Sequence, residues 1–160
     1  MAVFIALSGM SLAPLAQQYT VVSAMPVAAE IVVQCVVTAT VLEFGPYLSN
    51  SAVPVLGQAS ISLLCTSGTV AEVALDAGAG PGRNTSRRQM AQETGADRLA
   101  YGLFQDAGRT LHWGDTSGSD TLEVPMTGSV VTVPVYGQIP AGQRAREGAY
   151  SDTITVQVQF

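Results

Sequence analysis

The chain has 160 residues, room for one domain but not two comfortable ones, with 48% hydrophobic and only 12% charged residues, about half the usual charged share. Its seven positive charges are all arginine, so lysine chemistry (a P-loop lysine, a Schiff base, an isopeptide cross-link) is excluded, and one histidine with two cysteines cannot make a four-ligand zinc site. A net charge of −5 leaves no basic face for nucleic acid, and the 16 glycines and 8 prolines are scattered without the period of collagen.

The first element is apolar. Residues 2–16, AVFIALSGMSLAPLA, match the length of a signal-peptide apolar region and are too short and too rich in Gly, Ser and Pro to span a bilayer. We read residues 1–24 as a signal peptide cleaved after Val22-Ser23-Ala24, with Ala16 and Ala29 as rival sites. No basic residue precedes the apolar run, and the alternative is a buried apolar strand of the domain itself. The domain proper then spans 25–160.

Period-two alternation follows, without a long amphipathic helix. Strands are predicted over 30–41, 59–66, 69–77, 97–106, 121–126, 129–136 and 149–160. Turn-rich stretches separate them: Gly45-Pro46, Ser49-Asn50-Ser51, Gly78–Gly82, Asp115–Asp120 and Gly137–Gly142. Residues 84–96 are polar and read as a long loop. Short strands with a turn about every ten residues predict an all-β, immunoglobulin-like sandwich. Cys35 and Cys65 fall on the apolar faces of their runs, beside Val33 and Val37 in one and Ile61 and Leu63 in the other. Two inward cysteines on neighbouring strands predict a disulfide and an oxidising compartment. In the last run Ile154, Val156, Val158 and Phe160 alternate with Thr155, Gln157 and Gln159. A sandwich ending there lacks its final strand, which leaves an apolar groove between first and last strands, open to a β-strand from another chain.

The individual chemistry-bearing residues read as structural. Trp113 is expected in the core or at its rim rather than as a sugar platform. Asp115–Asp120 has its glycine at the fourth position, not the sixth of a calcium loop, and is expected to be a solvated turn. His112 has no serine–acid partners at a fixed spacing, and Asn84-Thr85-Ser86 is expected to be plain loop. Arg87 and Arg88 are expected to pair with Asp97 or Glu93 on the surface, the alternative being a partner-binding patch. No catalytic residue, metal site or cofactor is expected.

From about residue 25 to 160 the chain resembles the spore coat protein U domain, the subunit fold of archaic, Csu-type chaperone–usher pili. The matching motifs run in order: the alternating Met25, Val27, Ala29 and Ile31 before Cys35; Phe44-Gly45-Pro46-Tyr47; Cys65-Thr66-Ser67-Gly68; Arg87-Arg88-Gln89-Met90; Leu99 to Asp106; Trp113-Gly114-Asp115; Tyr136 to Gln143; and Gly148 to Thr153. Gln89 interrupts the arginine motif, and Phe104 stands where tyrosine is common. The resemblance implies an exported subunit whose incomplete, pilin-like sandwich is held by a periplasmic chaperone. It further implies completion by the N-terminal donor strand of another pilus subunit, passage through an outer-membrane usher, and a surface fibre serving adhesion and biofilm formation. Met25, Val27, Ala29 and Ile31 are then the donor residues, and the C-terminal strand faces the groove and the chaperone. A self-contained secreted coat or surface-binding domain, its groove covered by its own N-terminal segment, is the alternative.

Overall fold

A computed structural model describes residues 20–80 and 83–160; the predicted signal peptide lies largely outside them. The chain divides into two units, Met1–Ile31 and Val32–Phe160. In the first, residues 20–31 carry neither helix nor strand, and Met25, Val27 and Ile31 are 82%, 83% and 87% exposed. No helix among the described residues is long and apolar enough to cross a membrane.

The second unit is a sandwich of two antiparallel sheets. Its strands are β1 (Cys35–Ala39), β2 (Val55–Cys65), β3 (Val70–Leu75), β4 (Arg88–Gln92), β5 (Arg98–Phe104), β6 (Leu122–Pro125), β7 (Val131–Ile139), β8 (Tyr150–Ser151) and β9 (Val156–Gln159). The larger sheet has the order β1-β2-β7-β5-β4-β8 and the smaller β6-β3-β9. Alternation decides which residues meet between them. Ile61 and Leu63 of β2, Val73 and Leu75 of β3, Leu99 and Leu103 of β5 and Val133, Val135 and Ile139 of β7 all turn inward and are buried. Trp113 joins the layers: its backbone N–H donates to Leu103 O at 2.9 Å and its indole Nε1–H to Val73 O at 3.0 Å. That places it in the core.

Cys35 lies opposite Cys65 in the β1–β2 register, and the two are joined by a disulfide. Three readings of the sequence need correction. The run 30–41 forms a strand only from Cys35. The polar stretch 84–96 is not a loop throughout, because β4 pairs with both β5 and β8. The run 149–160 is not one strand: Tyr150–Ser151 pairs with β4 in the larger sheet, whereas Val156–Gln159 pairs with β3 in the smaller. The chain changes sheets at Asp152–Thr155, as strands do at sandwich corners.

Candidate functional site

Among the described residues, β1 and β9 are end strands of their sheets, each with a partner on one side only. Between the segment that continues β1 and the segment that leads into β9 lies a groove of about 1320 Å³. One wall is residues 39–50 and the other residues 145–154; the floor is the core itself, including Ile61, Leu75, Leu103 and Val135. Apolar core side chains therefore line a groove where a closed sandwich would carry another strand.

The first wall is seated by glycines. Gly57 and Gly137 face each other across β2 and β7, and the side chains of Leu42 and Phe44 fill the space above the pair. A Cβ on Gly137 would come within 2.8 Å of the Phe44 ring and 2.9 Å of Leu42; one on Gly57 would come within 3.0 Å of each. Phe44 also meets Tyr101 edge-on, with ring centroids 6.0 Å apart. Three residues on, the Tyr47 hydroxyl donates to Pro140 O at 3.0 Å and accepts from the Gln143 N–H at 2.8 Å. Gln143 then substitutes for backbone. The β5–β7 register would set Ala100 against Pro140, which has no N–H, and the Gln143 amide instead accepts from Ala100 N–H and donates to Ala100 O, both at 2.8 Å.

The second wall is held by carboxylates. Asp152 Oδ1 accepts from the N–H groups of Ala79 and Thr153, and its Oδ2 accepts from the Tyr101 hydroxyl at 2.8 Å. Gly78 has φ +83°, and a Cβ there would fall onto the Asp152 carboxylate, so only glycine fits. Asp76 Oδ1 accepts from Gly78 N–H at 3.0 Å and Thr155 N–H at 2.9 Å. Burial alone would raise the Asp76 pKa, but the Thr155 and Gly78 hydrogen bonds and the Arg88 charge together hold it below the ordinary carboxylate value. Burial, then the bond to Asp152, pushes the Tyr101 phenol well above its usual range.

Arg88 is fully buried, a correction to the surface ion pair expected of it. Its guanidinium donates to three carbonyls: Nε to Asp76 O at 2.8 Å, Nη1 to Thr85 O at 2.9 Å and Nη2 to Leu75 O at 2.7 Å. Desolvation lowers its pKa, opposed by Tyr101 and Asp76 among others. Asp97 instead makes the one ion pair among the described residues, with Arg146. Residue-level reading missed Tyr47, Asp76, Arg88, Tyr101, Gln143 and Asp152 as site-forming; all but Asp76 had a sequence signal only as members of the motifs FGPY, RRQM, Leu99–Asp106, GQIPAGQ and Gly148–Thr153.

The remaining candidates are structural. In the 115–120 turn, Asp120 Oδ1 accepts from Thr116 N–H at 2.7 Å. The Glu72 carboxylate accepts from the hydroxyls of Thr121 and Ser117 and from Gly118 N–H, and these bonds lower its pKa in that order. His112 meets Phe104 edge-on at 5.8 Å. No group of three or more metal-ligating side chains occurs among the described residues. In the last run, Ile154 and Val156 line the groove and Val158 packs on the core. Phe160, beyond the end of β9, is 57% exposed and departs from the expected inward face.

The family model of the Spore Coat Protein U domain matches residues 21–157. The chain belongs to this family. It is 35% identical over 130 residues to Protein U of Myxococcus xanthus, covering 74% of this chain and 71% of that protein. Among solved structures it is similar to a chain of the chaperone–tip adhesion subunit pre-assembly complex, CsuC–CsuE, from the archaic chaperone–usher Csu pili of Acinetobacter baumannii. The TM-score is 0.60 at 25% identity, over 81% of this chain and 40% of the other, so this chain spans well under half of its length. The spore coat protein U family and this pilus neighbour are structural proteins rather than enzymes.

Proposed function

We propose that this chain is a structural subunit of an extracellular chaperone–usher fibre, exported through the periplasm and assembled by donor-strand complementation. The observation that carries the reading is the groove: a cavity of about 1320 Å³ floored by core side chains, bordered by two sheet edges that lack a second partner among the described residues. Leaving such edges open invites pairing with another chain. The exposed segment containing Met25, Val27, Ala29 and Ile31 has the matching pattern, apolar at every second residue. A periplasmic chaperone covers the groove before assembly, an outer-membrane usher passes the subunits outward, and the fibre serves adhesion and biofilm formation. The similarity to a chaperone–subunit complex supports the chaperone as a partner. Residues 1–24 act as the signal peptide.

The test is assembly of the exported full chain, read as a ladder of polymers on unboiled detergent gels. Deleting residues 25–29 should abolish the ladder and leave a chaperone-dependent monomer, which a peptide of residues 21–33 stabilises against heat. A deleted chain that is stable alone and indifferent to the peptide would favour the second reading, a self-contained coat or surface-binding domain, to which the 35% identity with Protein U lends support.

A further inference from the structure

On the fibre reading just given, we infer that Glu30 of one copy and Arg146 of the copy receiving it set the direction and register of the incoming strand. Glu30 is the only charge in residues 20–34. The charged residues lining the groove among the described residues are Glu43, Arg146, Glu147 and Asp152, so Arg146 is the one cation there. Asp152 is already engaged by Ala79, Thr153 and Tyr101. The Arg146 side chain is 84% exposed and only loosely engaged, its Nε 3.9 Å from Asp97 Oδ2.

Parity and direction bring the two together. Successive strand residues face opposite ways, so a segment that buries Met25, Val27, Ala29 and Ile31 keeps Glu30 at the rim, where Arg146 sits. Each neighbouring pair in the order β1-β2-β7-β5-β4-β8 is antiparallel, so β8 runs against β1. A strand that extends the alternation beyond β9 runs against β9. That direction sets Met25 toward Val158 and Ile31 toward Tyr150, the end that carries Arg146. The reverse direction sets Glu30 beside Val156–Gln159, which carries no charge. Because Glu147 adjoins Arg146 on this wall, a carboxylate entering there is accommodated only beside the guanidinium.

The test uses the full chain and its assembly rate in the ladder experiment. Glu30→Arg alone and Arg146→Glu alone should each slow assembly about two- to five-fold or more, the range an exposed ion pair supplies, while leaving the thermal midpoint of the chaperone-released monomer unchanged. An equimolar mixture of the two single variants should recover the rate, because each donor then meets the complementary groove, and so should the double variant. Singles that assemble like the unmodified chain, or a mixture that stays as slow as its components, overturn the pairing and leave the fibre reading intact. An unmodified chain that forms no ladder overturns the fibre reading and this inference with it.

Discussion

The Tyr101 hydroxyl donates to Asp152 Oδ2 at 2.8 Å, tying β5 in the larger sheet to the segment where the last strand crosses to the smaller one. Asp76 ties the same crossover from the other sheet through Thr155 N–H at 2.9 Å. One wall of the groove thus hangs on two carboxylates, and Asp76 links its integrity to pH. Asp76 has a folded-state pKa below its unfolded value, so in acid the unfolded chain binds more protons than the folded one. Its contribution is complete above the unfolded value of roughly 3.9 and is lost as pH falls through the lower folded value. The thermal midpoint should therefore drop between about pH 5 and pH 2. Asp76→Asn should be less stable at neutral pH and show a flatter curve across that window. A variant whose midpoint follows pH as steeply as the unmodified chain would assign the acid sensitivity to other groups.

Arg88 sits beside this crossover with its guanidinium divided among the carbonyls of Leu75, Asp76 and Thr85. Truncation to Leu leaves three acceptors with less than they need, at about 1–3 kcal/mol for each that stays dry. Arg88→Leu is expected to lower unfolding free energy by at least about 3 kcal/mol. Arg88→Lys should recover only part of it, because one ammonium cannot reproduce the planar fork. Urea denaturation of the reconstituted monomer decides this; equal stability of the Lys variant and the unmodified chain would mean that charge alone suffices.

Much of this fold was legible because most strands obey a simple alternation. In β2, β3, β5 and β7 the inward positions are apolar, and the structure places them in the core. The same parity placed Cys35 against Cys65. β4 escaped notice because its inward residues are Arg88 and Met90, and an arginine that satisfies backbone carbonyls leaves no hydrophobic period to read. The C-terminal run misled for the opposite reason. Its alternation continues through Ile154, but hydrogen bonds to Asp152 and Asp76, invisible to periodicity, take the chain from one sheet to the other. The first wall was legible only as motif: nothing in composition says that Phe44 rests on Gly57 and Gly137, or that Gln143 stands in for backbone opposite Ala100.

The Cys35–Cys65 bridge closes a separation of 30 residues, which contributes roughly 3–4 kcal/mol by restricting the unfolded chain. It pins β1, which among the described residues is an end strand paired only with β2, at the foot of the sheet. Cys35→Ser with Cys65→Ser should lower the denaturation midpoint accordingly and raise the yield of degraded protein on export. Alkylation of unreduced protein should find no free thiol; recovery of two would show that the bridge does not form in the exported chain.

The sharpest prediction separates neighbours in the last strand. Val158 lies opposite the fully buried Val73, and Gln157 opposite Ala74 with its own side chain in solvent. Val158→Asp forces a carboxylate against the core of the smaller sheet, where it must stay protonated or expel the strand. The loss should exceed about 3 kcal/mol, a large fraction of a small domain's stability. Gln157→Asp should cost under about 0.5 kcal/mol, as for other exposed positions. Because β9 forms one edge of the groove, the difference should also appear in chaperone capture. Gln157→Asp should co-purify with its chaperone at the level of the unmodified chain, and Val158→Asp should be lost to proteolysis before capture. Equal tolerance of the two would mean that β9 does not hold the β3 register, and the wall it continues from Ile154 would then have to be built another way.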